Sequence, residues 1–231
     1  MMSRIIIIGG SFGGLTAAFE LRRHLGKEHD ITVACDQDKF VFMPSLPWLC
    51  MGWVKPKDIT LDLKKILESK GIKFVHAEVQ KIDPKGQKVT IEAGELPYDY
   101  LIIATGAHLA FDAIKGLDPS LGNTKSIFTL EYAIDASGAW EDFVKEPGPI
   151  VIGAAQGASC FGPAYELVYM VDGYLRKIKK RHDAPITFIT SEPFLSHMGI
   201  GGVGKSRRAT EDEFAERDIK AITNAQIEEI T

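Results

Sequence analysis

The fold of this chain is decided by the stretch IIIIGGSFGG at residues 5–14. Four consecutive β-branched residues predict a strand that is buried on both faces of a parallel sheet. A glycine-rich turn follows at once, and residues 15–25 then repeat apolar side chains at helical spacing. A strand, a tight turn and a helix in this order direct unpaired backbone N–H groups at an anion over the turn. The stretch therefore predicts a dinucleotide-binding βα unit.

The composition is ordinary for a globular protein: 45% of the 231 residues are hydrophobic, 25% are charged, and the net charge is −4. This balance gives no reason to expect nucleic acid as a partner. The one basic run, residues 176–182, is interpreted as a solvated helix end. No apolar run approaches the roughly 18 residues of a membrane span, and we recognise no secretory signal peptide. The three cysteines show neither metal-ligand spacing nor a disulfide framework, so we expect synthesis in a reducing cytoplasm and no metal site.

A second strand is predicted at residues 31–34. About 20 residues beyond the glycines, this kind of unit places an acid that binds the adenosine ribose. That position falls at Cys35-Asp36: Asp36 is the candidate ribose ligand, and Cys35 is interpreted as a small buried residue at the strand end. The aromatic loop at residues 40–48 contains two prolines, which favour neither a regular helix nor a central strand. Such a loop either walls a flat ligand such as an isoalloxazine ring or packs between domains.

Helices are predicted at residues 61–69 and 130–144. Between them, residues 79–100 read as short alternating strands, an antiparallel excursion inserted into the parallel fold. This excursion ends in a second buried strand and the turn Thr105-Gly106. The sequence Pro-Gly-Pro at residues 147–149 is the best candidate for a domain boundary.

Beyond that boundary the opening pattern repeats, with a strand at 150–152, a small-residue turn and a helix at 165–178. Later segments are predicted as a strand at 186–190, a helix at 210–217 and a strand at 221–230. Two copies of one βα unit predict an α/β protein with two Rossmann-like dinucleotide-binding domains. The predicted division is a first domain at 1–110, a connector at 111–148 and an incomplete second domain at 149–231.

The second turn is altered as a nucleotide site. If Gly153 is its first glycine, the next two glycine positions hold Ala155 and Ala158, and the methyl group of Ala155 hinders a pyrophosphate. Cys160 lies just before the helix, where the positive end of the helix dipole lowers a thiol pKa and favours the thiolate. It is therefore either a reactive thiol, which we favour, or an inert core residue.

Two further polar residues have open roles. Glu166 lies in the helix after Cys160, and His197 lies in a loop before the glycine-rich segment 199–204. Each is either a group that moves protons or a structural residue whose hydrogen bonds are satisfied.

The segment GAAQGASCFGPAYE at 153–166 resembles the corresponding stretch of sulfide:quinone oxidoreductases, members of the flavin disulfide-reductase superfamily. Residues 42–48, 98–106 and 191–204 resemble the same family, so the resemblance covers nearly the whole chain. It implies an FAD/NAD(P)-binding, disulfide-reductase type of fold, with the first domain binding FAD. It also implies FAD-dependent oxidation of sulfide to sulfur or polysulfide, with the electrons passed to a quinone.

The resemblance also implies roles for single residues. Sulfide would attack a Cys–Cys bridge that includes Cys160, one sulfur would become a persulfide, and the other thiolate would pass two electrons to FAD. His197 and Glu166 would at most move protons in this site. The residues that would contact FAD, Val79 through its backbone to the adenine, are Gly9, Gly10, Ser11, Phe12, Gly13, Gly14, Cys35, Asp36, Pro44, Val79, Thr105 and Gly106.

Three departures from the family pattern matter. Ser11 replaces the usual second glycine of the opening turn, and Phe128 stands where many members carry a third cysteine. Members are also substantially longer, so the partner cysteine, the quinone pocket and the membrane-docking helices would lie outside these 231 residues. Through that part we expect peripheral contact with the inner face or surface of the cell membrane, and a homo-oligomer is allowed.

Two other hypotheses remain open. The first is a type II NADH:quinone oxidoreductase-like flavoprotein on the same fold. Glu192 after a strand would be its NAD-ribose ligand, whereas Ala155 and Cys160 count against it. The second is an inactive flavin-binding fragment, because so much of the family's length is missing.

Overall fold

The computed structural model describes Met2–Thr231, and these residues form twelve strands and six α-helices. The strands are β1 (Arg4–Ile8), β2 (Asp30–Cys35), β3 (Lys39–Val41), β4 (Thr60–Asp62), β5 (Lys73–His76), β6 (Val79–Asp83), β7 (Lys88–Ile91), β8 (Gly94–Pro97), β9 (Tyr100–Ile103), β10 (Ile150–Ala154), β11 (Ile186–Thr190) and β12 (Ile219–Ile222). The helices are α1 (Phe12–Leu25), α2 (Leu46–Cys50), α3 (Leu63–Glu68), α4 (Leu130–Lys145), α5 (Gly162–Lys177) and α6 (Ser206–Glu216). None of the helices in this part of the chain is long and apolar enough to cross a membrane.

The chain divides into two compact units. Unit 1 comprises the described residues up to Phe42 together with Lys57–Leu109, and unit 2 comprises Met43–Pro56 together with Ala110–Thr231. Residues 43–56 thus group with unit 2, although they precede the predicted domain boundary at residue 110.

Unit 1 is built on a parallel four-stranded sheet with the order β5-β2-β1-β9. The side chains of β1 point alternately to two clusters. Ile5 and Ile7 pack with side chains of α1 and α3, whereas Ile6 and Ile8 pack against Val89 of β7 and its neighbours. None of the four isoleucines is more than 5% exposed. The prediction of a strand buried on both faces is therefore confirmed.

The predicted antiparallel excursion is also confirmed. Strands β6, β7 and β8 form a separate antiparallel sheet, after which β9 returns to pair in parallel with β1. Strands β3 and β4 form a two-stranded antiparallel ribbon.

Unit 2 contains the second parallel sheet, with the order β10-β11-β12. Its core joins the buried faces of α5 and α6 to the sheet through Val168, Leu175, Phe188 and Phe214. Parallel strands alternating with helices give this unit the predicted Rossmann-like character.

Several sequence predictions were wrong in detail. The helix predicted at 165–178 is Gly162–Lys177, and the helix predicted at 210–217 is Ser206–Glu216. The helix predicted at 61–69 begins at Leu63, because the Asp62 side chain caps it by accepting a hydrogen bond from the Lys65 N–H at 2.8 Å. The segment 40–48, predicted to contain no regular helix, runs into the short helix α2. Pro47 is tolerated there because it lies in the first turn, where the backbone N–H has no partner within the helix.

The strand predicted at 221–230 ends at Ile222. Two residues further on, the backbone N–H groups of Asn224 and Ala225 donate to the carbonyl oxygens of Glu192 and Thr190, respectively. Further on, the Gln156 side chain makes two hydrogen bonds with the backbone of Ile227, at 2.7 and 3.1 Å, and replaces a strand partner there.

The basic run at 176–182 is not simply a solvated helix end. Asp172 of α5 is completely buried, and its carboxylate accepts hydrogen bonds from the guanidinium groups of Arg176, Arg181 and Arg217. Arg176 and Arg181 also donate to the backbone carbonyl of Arg217. Arg176 and Arg181 therefore join α5 to the end of α6.

Candidate functional site

The opening turn of unit 1 leaves no space for side chains at two of its glycines. Gly9 has a φ of +111°, and a Cβ built on it would lie 2.2 Å from the Ala104 carbonyl oxygen. A Cβ on Gly14 would lie 1.9 Å from the Gly9 carbonyl oxygen. The first and third glycine positions therefore hold the chain close to β9 and α1 close to β1, as this type of turn requires.

Ser11 occupies the second glycine position without strain. Its φ of −95° and ψ of −161° are ordinary extended values, and its side chain makes no capping hydrogen bond. Ser11, Phe12 and Gly13 are all exposed, and the first turn of α1 contains no acidic residue. The backbone N–H groups at the start of α1 are thus suited to a phosphate, and the turn fits a dinucleotide pyrophosphate.

The other predicted ligand residues of unit 1 follow strands of the same sheet. Asp36 follows β2 and is exposed, whereas Cys35 is 9% exposed, which confirms that Cys35 is a buried residue. Burial raises the pKa of the Cys35 thiol. Thr105 and Gly106 are exposed just beyond β9, and Val79 is half-buried at the start of β6. The carboxyl ends of parallel strands form the edge where open α/β sheets bind ligands.

An aromatic cluster beside this turn was not predicted. The ring of Phe12, the first residue of α1, lies 5.1 Å from the Phe40 ring and 5.9 Å from the Phe42 ring, measured between centroids. Phe12 is 45% exposed and Phe42 is 44% exposed. The available signal was an aromatic residue inside the glycine turn together with two in the later aromatic loop.

In unit 2 the corresponding glycine, Gly153, lets two neighbouring strands of the sheet pack closely. A Cβ on Gly153 would lie 1.9 Å from the Ile189 carbonyl oxygen of the neighbouring strand. Close contact between β10 and β11 therefore accounts for this glycine without any nucleotide. Cys160 is exposed two residues before α5, and Pro163 lies in the first turn of that helix.

Glu166 and His197 have structural partners of their own. The Trp48 indole Nε1–H donates to Glu166 Oε1 at 2.9 Å. The His197 ring packs edge-on against Phe194 with centroids 5.0 Å apart, and its carbonyl accepts from the Ile200 N–H at 3.0 Å. These contacts are with residues other than Cys160, so the role of each as a proton carrier stays a prediction.

Glu192, the candidate NAD-ribose ligand of the alternative hypothesis, is turned inward. It is 2% exposed. Its Oε2 accepts from the Tyr165 hydroxyl at 2.7 Å and from Thr190 Oγ1 at 2.9 Å, and its Oε1 accepts from the Met198 N–H at 2.6 Å. Burial raises the pKa of Tyr165 above its ordinary value. Both carboxylate oxygens are used inside the protein, which counts against a nucleotide ribose at this position.

The structure thus groups the predicted cofactor contacts at Gly9–Gly14, Cys35, Asp36, Val79 and Thr105-Gly106 in unit 1. Pro44, Cys160, Glu166 and His197 belong to unit 2. Within residues 2–231, no group of three or more His, Cys, Asp or Glu side chains is arranged to hold a metal ion.

This chain belongs to the pyridine nucleotide-disulphide oxidoreductase family, whose model matches residues 3–231. It is 42% identical over 231 residues to the sulfide-quinone reductase of Aquifex aeolicus, covering 100% of this chain and 53% of that protein. It is 31% identical over 181 residues to the mitochondrial sulfide:quinone oxidoreductase of Dictyostelium discoideum, covering 76% of this chain and 39% of that protein. The predicted resemblance to sulfide:quinone oxidoreductases is confirmed.

Solved structures agree on the fold. The crystal structure of the Aquifex aeolicus sulfide:quinone oxidoreductase superposes with a TM-score of 0.93 at 41% identity, covering 99% of this chain and 52% of that one. NDH2 of Plasmodium falciparum, solved with NADH, superposes with a TM-score of 0.78 at 18% identity, covering 100% of this chain and 50% of that one. The second match shows the shared fold alone. The chain spans about half the length of the Aquifex protein, and the predicted fold class is confirmed.

Proposed function

We propose that this chain forms the FAD-binding, sulfide-reacting part of a sulfide:quinone oxidoreductase. The reaction would oxidise sulfide to sulfur or polysulfide and pass the electrons to a quinone. The observation that carries the proposal is the 42% identity to the Aquifex sulfide-quinone reductase over the whole chain. It is supported by an exposed cysteine two residues before α5.

FAD is the proposed cofactor, and when bound it supplies two-electron redox chemistry between sulfide and quinone. Backbone N–H groups at Gly9–Gly14 would hold the pyrophosphate, and Asp36 would accept hydrogen bonds from the ribose hydroxyls. The Val79 backbone would contact the adenine, and Thr105-Gly106 would lie beside the phosphates. The geometry of the turn supports this proposal. A Cβ at Gly9 or Gly14 would collide with a backbone carbonyl oxygen, so glycine is needed at both positions for the close backbone packing of a dinucleotide-binding turn.

Two more FAD contacts are proposed. Cys35 lies under the turn, where a Cβ on Gly10 would come within 3.1 Å of its sulfur atom. Pro44 is proposed from the family resemblance alone.

Cys160 is the proposed sulfur-reactive residue. Cys35 and Cys50 are buried, and burial raises the pKa of both thiols, that of Cys50 to about 11. Cys160 is exposed two residues before the 16-residue helix α5 and is thus open to a small nucleophile such as hydrosulfide. With a disulfide to a partner cysteine, attack by hydrosulfide on one sulfur would break the S–S bond, leaving a persulfide on that cysteine and a thiolate on the other.

Glu166 and His197 are proposed as proton-moving groups only. Trp48 holds the Glu166 carboxylate on the exposed face of α5, and Phe194 orients the His197 ring. We also propose, from the resemblance, sulfide and quinone as substrates, a homo-oligomer and peripheral attachment at the membrane surface. The division into an FAD domain at 1–110, a connector at 111–148 and a cysteine-carrying domain at 149–231 belongs to the same proposal.

The test is flavin bleaching under anaerobic conditions in an FAD-loaded protein that extends this chain to the family's full length and so includes the partner cysteine. Sulfide should bleach the flavin absorbance near 450 nm, on the order of one flavin per sulfide oxidised, and NADH should not. Bleaching by NADH but not by sulfide would favour the type II NADH:quinone oxidoreductase hypothesis instead. FAD binding by the 231-residue chain without bleaching by either reductant would identify this chain alone as an inactive flavin-binding fragment.

A further inference from the structure

His76 lies directly against the candidate ribose ligand. Strands β2 and β5 pair in parallel with Cys35 opposite His76, so both residues are at the carboxyl edge of the sheet. The His76 Nε2 atom is 2.9 Å from the carbonyl oxygen of Asp36. Because a carbonyl oxygen can only accept, Nε2 carries the proton and donates. The His76 ring therefore fixes the backbone of the residue that follows β2.

The Asp36 side chain is held by a second contact. The Cys35 thiol donates to Asp36 Oδ1 over 3.6 Å, and the Gln37 N–H donates to the Cys35 sulfur atom over 3.4 Å. Asp36 nevertheless stays exposed. Its carboxylate is thus oriented by the protein and still open to a ligand.

The position of His76 also relates to the adenine. It precedes by three residues Val79, the proposed adenine contact, on the segment that joins β5 to β6. Its ring stacks on Phe74, with centroids 6.2 Å apart and planes inclined by 13°, which restricts the ring orientation. One side chain therefore joins the segment proposed to bind the ribose to the segment proposed to bind the adenine.

We propose that His76 is a positioning residue for the adenosine half of FAD. It holds Asp36 in the conformation that binds the ribose hydroxyls, and it sets the preference of unit 1 for FAD over FMN, which lacks the adenosine. This inference rests on the proposed FAD site and adds to it a residue that touches Asp36 rather than the flavin.

The experiment measures dissociation constants of FAD and FMN for the purified 231-residue chain by quenching of flavin fluorescence. The change His76→Ala should weaken FAD binding about 3- to 10-fold, the effect of one ordinary hydrogen bond, and leave FMN binding unchanged. The change His76→Gln keeps an N–H donor and should restore most of the FAD affinity. As a matched control, His24→Ala removes an exposed histidine of α1 and should alter neither constant.

Circular dichroism melting of each variant monitors the fold, and His76→Phe, which keeps an aromatic ring on Phe74, replaces His76→Ala if the latter unfolds. Unchanged FAD affinity, or equal weakening for FAD and FMN, would overturn the inference while leaving the proposed function in place. Absence of FAD binding to the unaltered chain would overturn the inference and the flavin assignment together.

Discussion

The change Asp172→Asn tests how unit 2 is held together. Asp172 is 0% exposed, and its two oxygens accept hydrogen bonds of 2.6–3.1 Å from Arg176, Arg181 and Arg217. Asparagine has nearly the same shape but presents one oxygen and one NH₂ group, so a donor would face guanidinium donors. Three cations that converge on one buried point would lose their shared counter-charge.

The cost follows from the exposure of the arginines. Removing one partner of a buried ion pair typically costs about 3–5 kcal/mol. The side chains of Arg176 and Arg217 are 44% and 34% exposed and can turn towards water, whereas that of Arg181 is only 12% exposed. We therefore expect the lower end, about 3 kcal/mol. At roughly 2–4 °C per kcal/mol for a chain of this size, the melting temperature should fall by about 6–12 °C.

The loss should depend on pH in a defined direction. Burial raises the pKa of the Asp172 carboxyl, but the hydrogen bonds from the three arginines outweigh burial and hold this pKa below its ordinary value. A carboxyl whose pKa is lower in the folded state stabilises the protein above its unfolded pKa of about 4 and loses that contribution as pH falls through the folded pKa. The difference between Asp172→Asn and the unaltered chain should be full at pH 7 and shrink below about pH 4.

The measurement is thermal and urea unfolding, followed by circular dichroism from pH 3 to pH 7. The matched control is Asp142→Asn on α4, which removes an exposed carboxylate paired with Lys145 three residues later. That change should leave the melting temperature nearly unchanged. Equal effects of the two substitutions, or a difference that does not vary with pH, would refute the reasoning about the buried cluster.

Three other outcomes are expected. Gly14→Ala should abolish FAD binding and lower the melting temperature, because the new Cβ would lie 1.9 Å from a backbone oxygen. The matched control, Gly138→Ala, places its Cβ in open space on α4 and should stabilise that helix by about 0.5–1 kcal/mol. Equal melting curves for the two variants would contradict this reasoning. Brief iodoacetamide treatment of the native chain should label Cys160 and spare Cys35 and Cys50, as read by peptide mass spectrometry; labelling of all three at one rate would count against their different burial. In the full-length protein, Cys160→Ser should abolish bleaching of bound FAD by sulfide and leave the flavin spectrum unchanged, and retained bleaching would exclude Cys160 as the reactive thiol.

Short-range patterns in the sequence were sufficient to predict the opening βα unit. Its strand, turn and helix are consecutive, and the reasons for Gly9 and Gly14 lie within a few residues of them or in the returning strand β9. The same holds for the antiparallel excursion, whose alternation and turns are visible in the chain itself. These elements could be predicted because short-range pattern and final environment agree.

Glu192 shows why other features could not be predicted. An acid just after the second strand of a Rossmann-like unit has the spacing of a ribose ligand. Its actual role depends on Tyr165, 27 residues earlier, and on the backbone N–H of Met198, where the chain adopts a left-handed conformation with a φ of +54°. Asp172 is similar, since one of its arginines is 45 residues away. No periodic pattern reports such long-range polar contacts, because they arise only when helices and loops have packed.

The two βα turns therefore share a sequence pattern but differ in their use of it. In unit 1 the glycines bring the backbone close together under an exposed segment, Ser11 to Gly13, that is suited to an anion. In unit 2 Gly153 is explained by contact with β11, and the acid after β11 is turned inward. What unit 2 exposes at the equivalent helix start is the thiol of Cys160. On the proposed function, one turn would bind FAD and the other would present Cys160 as the nucleophile. That division suits a reaction in which sulfur chemistry delivers electrons to a flavin, and this is why we favour sulfide over NADH as the reductant.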